Sequence, residues 1–216
     1  MGHAGAASNR SSDATAGRHG SRLPLALTMG DPAGIGPEIV LKAWAARVEN
    51  ALSPFVYYGD DRVLAARAQA IGIKAPVAVV SDPSRAADCF DTALPVSRIE
   101  VAAPVQPGKP DGANAPAVIA AIERAVADVA QGRVRAVVTA PIAKSVLYGA
   151  GFKYPGHTEF LAALARQHWR HETIQPVMML ACDTLRVVPA RIEVLLKDVP
   201  PVITRAVRND TVEITG

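Results

Sequence analysis

Three short loops in this 216-residue chain combine residue types that can grip an anion or move a proton. The stretch MGDPAGIGPEI, Met29 to Ile39, carries three glycines, an acid before a proline and the start of a helix. Glycines permit a tight turn and close backbone approach, and free amides at a helix N-terminus favour an anion. The spacing is G-x-x-x-G-x-G, not the G-x-G-x-x-G of a dinucleotide-binding turn. Asp31 and Glu38 either cap the helix or face a ligand. TAPIAK, Thr139 to Lys144, sets a lysine at a strand end, where it meets phosphate or carboxylate or simply water. YPGHTEF, Tyr154 to Phe160, frees the backbone at Gly156 and puts His157 and Thr158 where a helix should begin, one of them near the N-cap. Glu159 follows in the first turn, which suits the helix dipole. A histidine there can hold a ligand or shuttle a proton near neutral pH, whereas plain capping accounts for Thr158 and Glu159 alone.

A fourth feature is Glu193, an acid inside the apolar run ARIEVLLKD. A buried carboxylate costs several kcal/mol unless it finds a partner. Glu193 is therefore a surface residue, a structural acid with an ion partner, or a ligand. Arg191, two residues earlier on the same strand face, would supply the ion pair. The other histidines carry less: His3 and His19 belong to a polar leader, and His168 and His171 to a solvated helix end.

These loops need a frame. LPLALTMG reads as a buried strand ending in Gly30, and PEIVLKAWAARV as a helix with Pro37 at its first position. PFVYYGD is the next strand, and DRVLAARAQAIG the next helix, closed by Gly72. APVAVVS and RIEVAAP read as strands, and APAVIAAIERAVADVAQG as a long amphipathic helix closed by Gly132. RAVVTAP is a further strand; helices follow at 142–148 and 158–171, then the apolar runs PVMMLAC, LRVVPA and IEVLL. Strands alternating with long helices predict an α/β fold with a doubly wound, largely parallel sheet. In such sheets ligands sit beyond the carboxyl ends of the strands, where all three loops fall.

Half of the residues are apolar and a fifth charged, as in ordinary globular chains. The net charge of +3 comes without a basic stripe interleaved with aromatics, which gives nucleic-acid recognition no footing. Two cysteines, Cys89 and Cys182, without a CxxC pair, fit a reducing cytoplasm and no structural zinc knuckle. No apolar run reaches the length of a membrane span, and residues 1–22 lack the apolar centre of a signal peptide and read as a disordered extension.

Taken together, LTMGDPAGIGPEIVLKA, VVTAPIAK, YPGHTEFLA, VMMLACDTLRVV and LLKDVP resemble, in order and spacing, the 4-hydroxythreonine-4-phosphate dehydrogenase family of pyridoxine biosynthesis. The resemblance runs from Leu23 to the end and corresponds to the first two-thirds of a member. It implies a fold like the isocitrate and isopropylmalate dehydrogenases, in homodimers, with residues 23–216 as the substrate-binding portion of a two-domain dehydrogenase. It implies NAD or NADP, a divalent metal (Zn, Mg, Mn or Co), and oxidation then decarboxylation of 4-phosphooxy-L-threonine. Threonate and erythronate phosphates are the alternative substrates, and an inactive or repurposed acid-binding module is the alternative function. The family's substrate-binding His-Thr pair falls on His157 and Thr158, with Asp31 and Lys144 lining the same cleft. A family histidine ligand of the metal falls on Glu193, whose oxygens would turn the site toward Mg or Mn. The other two histidines, and the phosphate- and nicotinamide-binding residues, are expected beyond Gly216, so the chain by itself is expected not to transfer hydride.

Overall fold

The computed structural model describes residues 23–170 and 174–189. The extension expected over 1–22, His171 and the Arg191–Glu193 pair lie outside them. The chain divides into two compact units, Met1–Tyr154 and Pro155–Gly216.

The first unit is built on five strands: β1 (Leu25–Thr28), β2 (Phe55–Gly59), β3 (Val77–Val79), β4 (Leu94–Arg98) and β5 (Ala136–Val138). Their order is β3-β4-β2-β1-β5, and every neighbouring pair is parallel. The doubly wound parallel sheet expected from the alternating pattern is thus present. From β1 the chain runs outward through β2, and it later returns to lay β5 on the far side of β1. Leu27 accordingly pairs with Tyr57 on one flank and Val138 on the other. All five residues of β2 are buried, as its unbroken apolar run requires in a parallel sheet.

The helices are α1 (Gly36–Ala45), α2 (Asp61–Ala70), α3 (Ala115–Ala130) and the short α4 (Lys144–Gly149). Gly72 and Gly132 follow α2 and α3 with φ of +70° and +67°, the left-handed exit that glycine takes without strain. Pro37 occupies the second helical position of α1, one later than expected, because Gly36 already turns helically. Trp44 anchors α1 by donating its Nε1–H to the Phe90 carbonyl at 2.9 Å, and Phe90 meets Phe55 edge-on at 4.9 Å.

Adjacent strand residues face opposite ways, and β2 uses this with two tyrosines. Tyr58 donates its hydroxyl to Asp128 of α3 at 2.6 Å, and Arg133 also bonds that carboxylate. Burial, and then the Asp128 bond, push the Tyr58 phenol well above its ordinary pKa. Tyr57 is equally buried and points to the other face.

One strand sits earlier than the sequence suggested. RIEVAAP is not a strand; β4 is LPVSR, in spite of Pro95. The Leu94 amide donates to the Pro76 carbonyl on the β3 side, so the missing Pro95 N–H falls on the β2 side. The β2 register starts at Val96, directly after Pro95.

In the second unit, α5 (His157–Trp169) is followed by a two-residue antiparallel pair, β6 (Leu180–Ala181) and β7 (Arg186–Val187). The apolar runs PVMMLAC and LRVVPA each supply one strand of this small two-stranded sheet. Arg166 holds the connection by donating Nε–H to the Ile174 carbonyl at 3.0 Å. Among the described residues no helix is long and apolar enough to cross a membrane.

Asp60 fastens β2 to α2 and to the segment after β4. Its carboxylate caps α2 through the Arg62 amide at 2.9 Å, takes the Arg62 guanidinium at 2.8 Å, and accepts the Val101 amide at 3.0 Å. Burial alone would raise its pKa; the Arg62 and Val101 bonds outweigh that and hold it at about 2. A depressed carboxylate pKa stabilises the fold fully above the unfolded value, near pH 4, and that contribution is lost as pH falls through the folded one. Urea denaturation should therefore show stability dropping between about pH 4 and 2, and Asp60→Asn should flatten that part of the curve. An unchanged slope in the variant would sink the assignment.

Candidate functional site

In an open parallel sheet, the crevice for a ligand lies where successive connections leave in opposite directions. That point here is between β1 and β5, and the loops that follow them are the glycine-rich loop and TAPIAK. The structure brings these two loops into direct contact. The Asp31 amide donates to the Pro141 carbonyl at 2.9 Å. Gly30 has φ +63°, and a Cβ there would lie 2.9 Å from the Ala140 Cβ and closer still to the Pro141 carbonyl oxygen. A Cβ on Gly36 would run into the Met29 carbonyl oxygen and reach 3.1 Å from the Ala140 Cβ. The two glycines are thus required by the neighbouring loop as well as by the turn.

Asp31, nearly buried, turns inward: its Oδ1 accepts the Ala33 amide at 2.8 Å, and its carbonyl accepts the Gly34 amide at 3.0 Å. Neither acid of the loop caps α1, whose N-cap is Ile35 with no side-chain bond. Glu38 instead pairs with Arg67 of α2 at 2.8 Å. A narrow crevice joins the two loops to the start of α3, lined by Asp31, Asp111, Asn114, Ala143 and Val146. Lys144 follows directly as the first residue of α4, and it is exposed. A cation in the first turn opposes the helix dipole, so helix stability does not account for this lysine. Leu147, packed with Val118 and Ala115, fixes α4 onto α3.

The third loop belongs to the second unit. Gly156 is the N-cap of α5 in extended conformation and makes no side-chain cap bond. His157, Thr158 and Glu159 are the first three helical residues, so Thr158 does not cap the helix as the sequence allowed. His157 is half-buried, and Thr158 and Glu159 are exposed. Glu193 lies outside the described residues, among which no three His, Cys, Asp or Glu side chains gather to hold a metal ion.

Sequence reasoning missed one feature of the first unit. A hollow of about 510 Å³ opens between α2 and the segment 101–107, lined by Val63, Ala66, Val101, Pro104, Asp60 and Arg67 among others. The signal was present in α2: Leu64, Arg67 and Ala68 form its buried stripe, so a guanidinium occupies a core position.

The chain also has recognisable relatives. A sequence profile of one family, described as pyridoxal phosphate biosynthetic protein PdxA, matches residues 50–216. A 4-hydroxythreonine-4-phosphate dehydrogenase from Methylorubrum extorquens is 50% identical over 195 residues, which cover 89% of this chain and 54% of that protein. One of the same name from Bradyrhizobium diazoefficiens is 48% identical over 201 residues, covering 89% and 57%. The crystal structure of another from Klebsiella pneumoniae matches with a TM-score of 0.76 at 29% identity, over 89% of this chain and 58% of that one. The chain spans about half the length of the curated relatives it matches.

The crowding at Gly30 is open to test. Gly30→Ala adds a methyl at positive φ against the Ala140–Pro141 backbone and should cost about 1–3 kcal/mol in urea denaturation. Gly112→Ala, with open space around the added methyl, is the control. Equal stability of the two variants would mean that the loops do not press together.

Proposed function

We propose a function from one premise: the chain belongs to the pyridoxal phosphate biosynthetic protein PdxA family. The reading is an NAD(P)-dependent oxidoreductase acting on 4-phosphooxy-L-threonine in pyridoxal phosphate biosynthesis, with this chain supplying substrate-binding surface. In that reaction the substrate's 3-hydroxyl carbon gives a hydride to the nicotinamide, the hydroxyl gives up its proton, and the β-keto acid formed loses carbon dioxide. The enzyme is read as a cytoplasmic homodimer. His157 and Thr158 are assigned to substrate, as are Lys144 and Asp31.

What carries the reading is the Asp31–Pro141 contact, which joins the two family loops at the point where a parallel sheet offers a ligand its crevice. The chemistry of the loops agrees with an anionic substrate. The first amides of α1 have no intrahelical acceptor, and Lys144 at the end of TAPIAK is an exposed cation without a helix-stabilising reason. His157, at the opening of α5, can donate to a substrate oxygen or take its proton near neutral pH. A divalent metal, when bound, would polarise the hydroxyl and hold the developing negative charge. The described residues do not assemble a site for it.

Calorimetric titration of the purified chain with 4-phosphooxy-L-threonine tests the reading. Saturable binding is expected. His157→Ala should weaken it about tenfold to a hundredfold, roughly 1.4–2.8 kcal/mol, with no change in melting temperature. Lys144→Ala should weaken it about tenfold and reduce its salt dependence. Absence of binding at millimolar ligand, or wild-type affinity in both variants, would overturn the assignment.

A further inference from the structure

We propose that Arg67 is a positioning residue that sets the shape of the glycine-rich loop from behind. Its functional weight rests on the reading of that loop as substrate-binding, but its action on the loop does not. Arg67 stands on α2 with only 6% of its surface exposed. Its Nη1 donates to Glu38 Oε1 at 2.8 Å and to the Gly34 carbonyl at 3.2 Å, and its Nη2 reaches the Pro32 carbonyl at 3.4 Å. The carbonyl between them, Ala33, accepts the Gly108 amide at 2.8 Å. Three successive carbonyls of the loop are therefore held from outside it, two by Arg67 and one by the Gly108 amide.

The carbonyl and the amide of one peptide unit point in opposite directions. Holding the Pro32 carbonyl sends the Ala33 amide toward Asp31 Oδ1, and holding the Ala33 carbonyl sends the Gly34 amide to the Asp31 carbonyl. Holding the Gly34 carbonyl turns the Ile35 amide to the side away from Arg67, next to the open amides of α1. The fork of the guanidinium is what makes this possible. A lysine is a point donor and cannot span Pro32, Gly34 and Glu38 together. Glu38 supplies the countercharge that a buried guanidinium needs.

A residue that merely stabilised the fold would loosen everything alike when replaced. The test is amide hydrogen exchange, residue by residue, on the whole chain and on its Arg67→Lys and Arg67→Met variants. The Ala33 and Gly34 amides should exchange at least tenfold faster in Arg67→Met and several-fold faster in Arg67→Lys, while amides of β2 and α3 keep their wild-type protection. Equal protection of Ala33 and Gly34 in a folded Arg67→Lys, or loss shared equally with β2 and α3, overturns the proposal. If Arg67→Met does not fold, Arg67→Lys decides alone. Titration with 4-phosphooxy-L-threonine separates the two claims. A loosened loop with no binding by the wild type upholds the clamp and removes the substrate reading. Binding by the wild type with a loosened variant of equal affinity removes the functional weight of Arg67.

Discussion

The contact between two backbones, the Asp31 amide on the Pro141 carbonyl, constrains most of what surrounds it. Each partner leaves the carboxyl end of its own strand, and the strands are neighbours only because the chain returns to the far side of β1. For the backbones to meet, the turn after β1 must be left-handed at Gly30 and bare at Gly36. A methyl on Gly30 would overlap the Ala140–Pro141 backbone, and one on Gly36 would overlap the Met29 carbonyl of its own loop.

Around that contact the unit holds three sets of hydrogen-bonded polar side chains. Asp60 takes two amides and a guanidinium; Asp128 takes a phenol and a guanidinium; Arg67 takes a carboxylate and two carbonyls. A single unmet partner in such a set costs about 1–3 kcal/mol, which is a large share of a domain's stability. Each set also joins elements that are distant in sequence: β2 to the segment after β4, β2 to α3, and α2 to the loop before α1. Directional bonds of this kind fix register and angle where aliphatic packing of Val, Leu and Ala fixes only proximity.

The strand–helix alternation was legible because buried parallel strands are unbroken apolar runs, and because Gly72 and Gly132 mark helix exits. The glycine-rich loop and TAPIAK were legible from residue types at strand ends; YPGHTEF, expected at a strand end too, instead follows α4 and leads into α5. Arg67 was hidden by habit: an arginine among alanines reads as solvated, and only its place three after Leu64 and one before Ala68 shows it belongs to the inward stripe. β4 was misplaced because Pro95 looks like a breaker, and no local pattern reveals which neighbour a missing N–H would have faced. The partner of Glu38 was equally invisible, since it lies 29 residues away on another helix. Side-chain pairing across elements is a property of topology, and topology had to come first.

Among the described residues β5 is joined to the sheet along one flank only, through β1. The segment that brings Pro141 to Gly30 therefore hangs from a three-residue rim, with Val137 and Val138 as its last rungs. A rim strand slides and twists more readily than one clamped on both sides, and its open row of amides and carbonyls invites another strand. Anything that laces onto that rim would stiffen the hinge of the second loop and so tighten the mouth of the crevice, without touching a residue that lines it.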